Sequence, residues 1–377
     1  MSIKKENLYL LPWTLSNCPN GWIEPTTFCQ LQCPECYRGC DRVDHMPVHR
    51  GLSDMKKEIE CFIKDRNVQT ISIAGGEPLF YPELNELIEF IKNRGLKVMI
   101  FTNGLLLNKE KLLELKKLGV NQIVLHIDKY QNRQDVTKNE EVNLLKEKYC
   151  DLFREIKDIS LGFISSISKE NFFDLESDLL FYRKNSDIVS LIDFTIYTDA
   201  FFNEDTKNKD RINAQDTYEK IKDLYGIEYC AYLEKSLDKN ITWLSGTAVF
   251  SGKNFLGSVD KEVVRFVQED YYKKNKKFLF IDNDLPISIK SIWLLLTNKS
   301  LRKIFFNFLK QKNKGKINFQ VILIISPPEV IDKTFNMCNS CPDAMYYKGK
   351  LVPSCIYSRI KNGLCRDYKY YCSDYIE

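Results

Sequence analysis

Four cysteines stand within the stretch "TTFCQLQCPECYRGC", residues 26–40. Cys29, Cys33 and Cys36 have three residues and then two between them. Three thiolates so spaced can hold three irons of a [4Fe–4S] cluster and leave the fourth iron open to another ligand. A zinc site wants a fourth protein ligand and usually two paired motifs. Cys40 is expected to stay outside the set, because the open iron must remain free, and Cys18 has no assignment. A second group, Cys338, Cys341, Cys355, Cys365 and Cys372, lies toward the C-terminus, with two residues between the first pair and thirteen before Cys355. Thiols at these spacings suit either an iron–sulfur cluster or a small structural zinc site. Cys61, Cys150 and Cys230 lie between the groups and read as buried, small apolar side chains.

Elements of alternating type must position these residues. "VQTISIAGGEP" (68–78) reads as a β-branched strand running into a glycine pair. "LNELIEFIKNRG" (84–95) has apolar residues at helical spacing and a glycine stop. The rhythm repeats: strand 96–104, helix 108–119, strand 121–128, helix 139–158, strand 159–168, helix 173–186, strand 188–198. Strands separated by helices of this length imply a parallel sheet with right-handed crossovers. Ligands in such sheets sit beyond the carboxyl ends of the strands. Gly75, Gly76 and Glu77, then Thr102 and Asn103, then His126 and Asp128 all fall at such ends.

The first cysteine spacing, joined to a complete Gly75-Gly76-Glu77-Pro78 at a strand end, resembles the radical S-adenosylmethionine (SAM) superfamily. That family normally has an aromatic residue before the third cysteine; here Glu35 stands there and Tyr37 follows. The resemblance implies a partial (β/α)6 TIM-like barrel over residues 21–235. A lead-in, 1–20, precedes it, and a smaller cysteine-rich extension, 236–377, follows. It implies a cluster on Cys29, Cys33 and Cys36 whose open iron chelates SAM, and a 5′-deoxyadenosyl radical that takes hydrogen from substrate. Gly75, Gly76, Glu77 and Pro78 are then candidates for the methionine end of SAM, and Thr102, Asn103, His126 and Asp128 for the ribose. "SKEN" (168–171) resembles the fifth-strand segment of the family and makes Asn171 a candidate too. "MCNSCPDAMYYKGKLVPSC" (337–355) resembles the auxiliary-cluster segment of the molybdenum-cofactor GTP cyclase and of SPASM and twitch domains. It implies a second [4Fe–4S] cluster on Cys338, Cys341 and Cys355, completed by Cys372 or alternatively Cys365.

Composition narrows the partners. With 55 Lys and Arg against 51 Asp and Glu, a net charge of +4 gives no reason to expect nucleic acid. No apolar run approaches the ~20 residues of a membrane span. The N-terminus lacks a signal-peptide core, so a cytoplasmic location is expected, where thiols stay reduced. From about residue 235 the strand–helix rhythm breaks down. There Ser300 reads as a cap for a helix whose stripe, Ile304, Phe305, Phe308 and Leu309, is either core, an apolar channel or a membrane-facing surface. Three functions are open: a radical enzyme acting on a small or lipid-like molecule, a radical enzyme modifying a ribosomally made peptide, or a cluster-based sensor without catalysis. A sensor needs no methionine clamp, which speaks against the third. A low-potential donor such as flavodoxin or ferredoxin is the expected electron source.

Overall fold

The computed structural model describes residues 3–34, 36–40, 46–128, 131, 133–136, 139–197, 212–281, 294, 296–361 and 369–370. After a two-residue strand, β1 (Tyr9–Leu10), six strands follow: β2 (Asn20–Thr26), β3 (Thr70–Gly75), β4 (Lys97–Thr102), β5 (Gln122–His126), β6 (Ser160–Ile167) and β7 (Val189–Ile196). Each pairs parallel with the next. A helix follows each in turn: α1 (Leu52–Arg66), α2 (Leu84–Asn93), α3 (Lys109–Lys117), α4 (Asn139–Ile156), α5 (Leu175–Lys184) and α6 (Ala214–Tyr225). This is the α/β architecture of a partial (β/α)6 barrel.

The helices form where the apolar stripe demands it. In α2, Leu84, Leu87, Ile88 and Ile91 are buried at the i, i+3, i+4, i+7 spacing of one helix face. Burying each contributes ~1.5–3 kcal/mol. The strands alternate: Ile192, Phe194 and Ile196 of β7 sit in the main core beneath the helices, and the intervening side chains point to the other face. Cys150 on α4 is buried as expected, but Cys61 is exposed. It lies off the α1 stripe of Met55, Glu58, Ile59, Phe62 and Arg66.

The sheet does not stop at β7. The chain continues through β8 (Tyr229–Glu234), β9 (Ile241–Ser251), β10 (Asn254–Ser258), α7 (Lys261–Asn275), α8 (Lys299–Leu309) and β11 (Ile317–Ile325). Strand β11 lies parallel against β7, and β9 lies antiparallel between β11 and β8. The order is β1-β8-β9-β11-β7-β6-β5-β4-β3-β2, with β10 on β9. Antiparallel neighbours need no crossover helix, which is why the βα rhythm vanishes from the sequence here. The cap of α8 is Asn298, not Ser300: its side chain accepts from the Leu301 N–H at 2.9 Å, and Ser300 Oγ donates to it at 2.8 Å. Within the α8 stripe Ile304 is buried, whereas Phe305 and Leu309 are exposed.

The last segment comprises β12 (Glu329–Ile331), β13 (Thr334–Asn336), β14 (Ala344–Tyr347), β15 (Lys350–Pro353), α9 (Ser354–Lys361) and β16 (Lys369–Tyr370). Its Phe335, Met337, Met345, Val352, Ile356 and Tyr357 form an apolar cluster with Trp22 of β2 and Ala74 of β3. The late segment is thereby packed onto the first barrel strands. Among the described residues no helix is long and apolar enough to cross a membrane.

Candidate functional site

The loop after β2 carries the first cysteines, and a buried charge pair fixes it. Arg38 Nε stands 2.7 Å from Glu24 Oε2, with both side chains almost wholly shielded. Trp22 Nε1 and Tyr37 OH donate to Glu24 Oε1 at 3.0 and 3.2 Å. The Arg38 guanidinium also lies 5.0 Å from the Tyr357 ring centroid and donates to Ser358 Oγ at 3.1 Å. The cysteine loop is therefore tied both to β2 and to α9.

The glycine pair after β3 receives this loop. A Cβ on Gly76 would stand 2.2 Å from the Phe28 carbonyl oxygen, and one on Gly75, whose φ is +119°, 2.5 Å from that of Thr26. The close approach is to backbone: Gly76 N–H donates to Thr26 O at 2.9 Å and Glu77 N–H to Phe28 O at 2.6 Å. Any side chain here would push the cysteine loop away. Glu77 is fully buried and accepts from Thr102 Oγ1 at 2.7 Å, Asn103 N–H at 2.8 Å and Leu79 N–H at 3.0 Å. Burial raises its pKa against these hydrogen bonds. Its carboxylate clamps the ends of β3 and β4 together, and Pro78 opens the short 3-10 turn beside it.

One cavity of about 1010 Å³ gathers most of the residues singled out in the sequence. Cys29, Cys33, Cys36 and Cys40 line one wall, with Gly75, Gly76, Thr102 and Asn103 beside them. Asn103 Nδ2 lies 3.7 Å from Cys29 Sγ. His126 Nε2 and Asp128 Oδ2, 2.8 Å apart, also face the cavity. Cys338, Cys341 and Cys355 line the same space. Asn171 stays out of it: its side chain accepts from the Ser168 N–H at 2.8 Å and donates to Ser166 O at 2.7 Å, closing its own turn. Cys365 and Cys372 lie outside the described residues.

The donor chemistry fits iron–sulfur clusters. Each loop presents soft thiols to one space, and among the described residues no three His, Cys, Asp or Glu side chains surround a single-ion position. Cysteines of a cubane cluster each bind a different iron and need not converge on one point. Burial, with Cys36 and Cys29 close by, pushes the Cys33 thiol up, so metal binding must displace its proton. Neighbouring Cys29 and Cys36 push the Cys40 thiol up, which puts it closer to the first set than its spacing suggested. In the second loop neighbouring Cys341 lowers the Cys338 thiol pKa, and Thr242 Oγ1 lies 3.5 Å from Cys338 Sγ. Fully buried Arg66 of α1 donates to the Cys341 carbonyl at 2.8 Å and anchors that loop.

Glu24, Arg38 and Arg66 carry no motif, and local spacing cannot reveal them. Arg133 is another such residue; it donates to the Asn103 carbonyl at 2.7 Å and pairs with Asp135 through two bonds of 2.9 Å.

An open α/β barrel with a three-cysteine loop at its strand ends defines a class of cluster-dependent enzymes. Residues 23–181 match the family model of the radical SAM superfamily, and the chain carries a radical SAM domain. The cofactors of that superfamily are a [4Fe–4S] cluster and SAM. The chain is 32% identical over 185 residues to a Methanocaldococcus jannaschii protein named "Probable GTP 3′,8-cyclase", covering 46% of this chain and 57% of that one. It is 32% identical over 106 residues to the antilisterial bacteriocin subtilosin biosynthesis protein AlbA of Bacillus subtilis, covering 28% of this chain and 22% of that one. Streptococcus suis SuiB, solved bound to precursor peptide SuiA, aligns with a TM-score of 0.45 at 21% identity, over 56% of this chain and 46% of that one. The chain thus spans less than two thirds of the length of each of these proteins.

Proposed function

We propose that this radical SAM enzyme abstracts a hydrogen atom from a small or lipid-like molecule and oxidises or rearranges it, with a second cluster on the late cysteines. Cys29, Cys33 and Cys36 would hold the first cluster, and Cys338, Cys341 and Cys355 the second. When bound, the first cluster and SAM would supply a 5′-deoxyadenosyl radical. The chain's own residues orient and exclude: Glu77 and the glycine pair hold the cysteine loop against β3 and β4. Asn103, His126 and Asp128 offer polar groups toward the cavity for SAM. The observation that carries the reading is that Cys29, Cys33 and Cys36 line one cavity with Cys338, Cys341 and Cys355. A substrate lying between them would have the first cluster and SAM to supply hydrogen abstraction and the second cluster to accept an electron. A cytoplasmic setting with a flavodoxin or ferredoxin donor suits such an enzyme.

A second reading, modification of a ribosomally made peptide, draws support from the likeness to the bacteriocin biosynthesis protein. The test is anaerobic reconstitution with iron and sulfide counting, followed by deuterium tracing from labelled metabolites and peptides into 5′-deoxyadenosine. A Cys29/Cys33/Cys36→Ala variant should form no 5′-deoxyadenosine. Undiminished formation would remove the first assignment, and deuterium arriving only from peptides would replace the small-molecule reading.

A further inference from the structure

Strand β7 places one carboxylate where no local interaction needs it. Asp193 is 5% exposed and lines the cavity, and its Oδ1 meets no hydrogen-bond donor among the described residues. Strand pairing sets its height. His126 of β5 is in register with Ile164 of β6, Ile164 with Asp193, and Asp193 with Leu323 of β11. All four line the cavity. Asp193 is thus on the rung of His126, two strands away, which at normal strand spacing is about 10 Å around the wall. It lies level with the candidate SAM contacts and away from the glycine pair.

Two further polar atoms on this wall lack partners: Gln122 Oε1, an acceptor, and Trp13 Nε1, a donor. Buried groups of this kind cost stability unless something pairs with them. The charges point one way. The lining includes Asp128, Glu170, Asp193 and Asp343, and no Lys or Arg among the described residues. Among the described residues of the lining, a phosphate or carboxylate would meet no lysine or arginine. Around Asp193 the lining combines apolar groups, among them Leu191, Leu323 and Ile325, with the uncharged hydroxyls of Ser166 and Thr195.

We infer that Asp193 is the substrate anchor of this cavity and that it selects a molecule presenting an ammonium group on an apolar body, excluding nucleotides and other anions. The inference rests on the radical-enzyme reading and adds the substrate class to it. Burial, reinforced by Asp343, raises the Asp193 pKa well above the usual carboxylate range, and a cation seated against it would relieve that penalty. Gln122 Oε1 offers a second acceptor deeper in the barrel, four residues nearer the strand N-termini than the His126 rung.

The experiment uses the full chain, anaerobically reconstituted and saturated with SAM. Binding is read by equilibrium dialysis and by tryptophan fluorescence, since Trp13 and Trp243 line the cavity. The probes are matched sets of arylalkyl and alkyl primary amines, alcohols and carboxylates. A blocked lysine peptide, run beside them, separates a peptide side chain from a small molecule as the source of the ammonium. Amines should bind at least about tenfold tighter than their alcohol and carboxylate counterparts, a difference of ~1.4 kcal/mol. Asp193→Asn and Asp193→Ser should abolish that preference. Carboxylates binding as tightly as amines, no saturable amine binding, or an unchanged preference in a folded Asp193→Asn protein would each overturn the inference. The comparison within the wild type stands even if both variants unfold. Cleavage of SAM to 5′-deoxyadenosine is measured separately. If cleavage occurs without amine preference, only the inference fails. If amines are preferred without cleavage, only the radical reading fails.

Discussion

At the residue scale, Glu77 changes its meaning between sequence and structure. Its place after the glycine pair suggests a partner for the methionine ammonium of SAM. In the fold its oxygens already receive Thr102 Oγ1 and the Asn103 and Leu79 N–H groups. Glu77→Ala would leave buried donors unpaired, at on the order of 1–3 kcal/mol for each group. Iron content, apparent melting temperature and SAM affinity should therefore fall together. Weaker SAM binding with full iron and an unchanged melt would return Glu77 to the ligand. Asp193 gives a pH signature at the same scale. Between the ordinary aspartate value of about 3.9 and its raised native value, the folded chain keeps a proton that the unfolded chain has lost. Stability contributed by this group therefore declines as pH rises through that window. The charged group acting on it from the facing loop is Asp343. Asp193→Asn should gain melting temperature over the wild type from pH 5 to pH 8. A gap that stays constant with pH would show that Asp193 does not titrate this way.

At the element scale, the loop bearing Cys29, Cys33 and Cys36 is tied to β2 by the buried Arg38–Glu24 pair. Removing one partner of a buried pair typically costs 3–5 kcal/mol, because the other charge is left alone in low dielectric. Arg38→Met should give a protein that takes up less iron at the first site and aggregates sooner on heating. The double variant Arg38→Met/Glu24→Gln should recover part of the loss. Equal iron uptake by Arg38→Met and wild type would mean that the cysteines alone order the loop. Glycine works with this pair: the Thr26 and Phe28 carbonyls occupy the space where side chains of residues 75 and 76 would stand.

At the scale of the whole molecule, the late segment closes onto the first barrel strands through Trp22, Ala74 and the cluster around Met345 and Ile356. Arg66 joins α1 to the Cys341 loop. If these late cysteines hold a second cubane cluster, the reconstituted protein should carry about eight irons per chain, and a Cys338/Cys341/Cys355→Ala variant about four. The variant should lose substrate turnover. Four irons and one zinc in the wild type would make the second site structural and remove its role as electron acceptor.

What the residues determine by themselves is local. The cysteine spacing, the Gly75–Gly76 pair and the alternation of β-branched runs with amphipathic helices over residues 68–196 can be read within a few residues of each other, because strand, helix and turn chemistry act at short range. The five strands β3 to β7 and the four helices between them follow from that, whereas β2, α1 and α6 lie outside the stretch so read. The rest depends on pairing between distant segments. That Asp193 faces the cavity while Phe194 faces the helices is set by the register of β7 against β6 and β11, the last about 130 residues away in sequence. That Cys338, Cys341 and Cys355 line one cavity with Cys29, Cys33 and Cys36 follows from the late segment folding back onto β2 and β3. Neither the Glu24–Arg38 pair nor the burial of Arg66 leaves a periodic trace, because a charge enters the core only where a remote partner meets it.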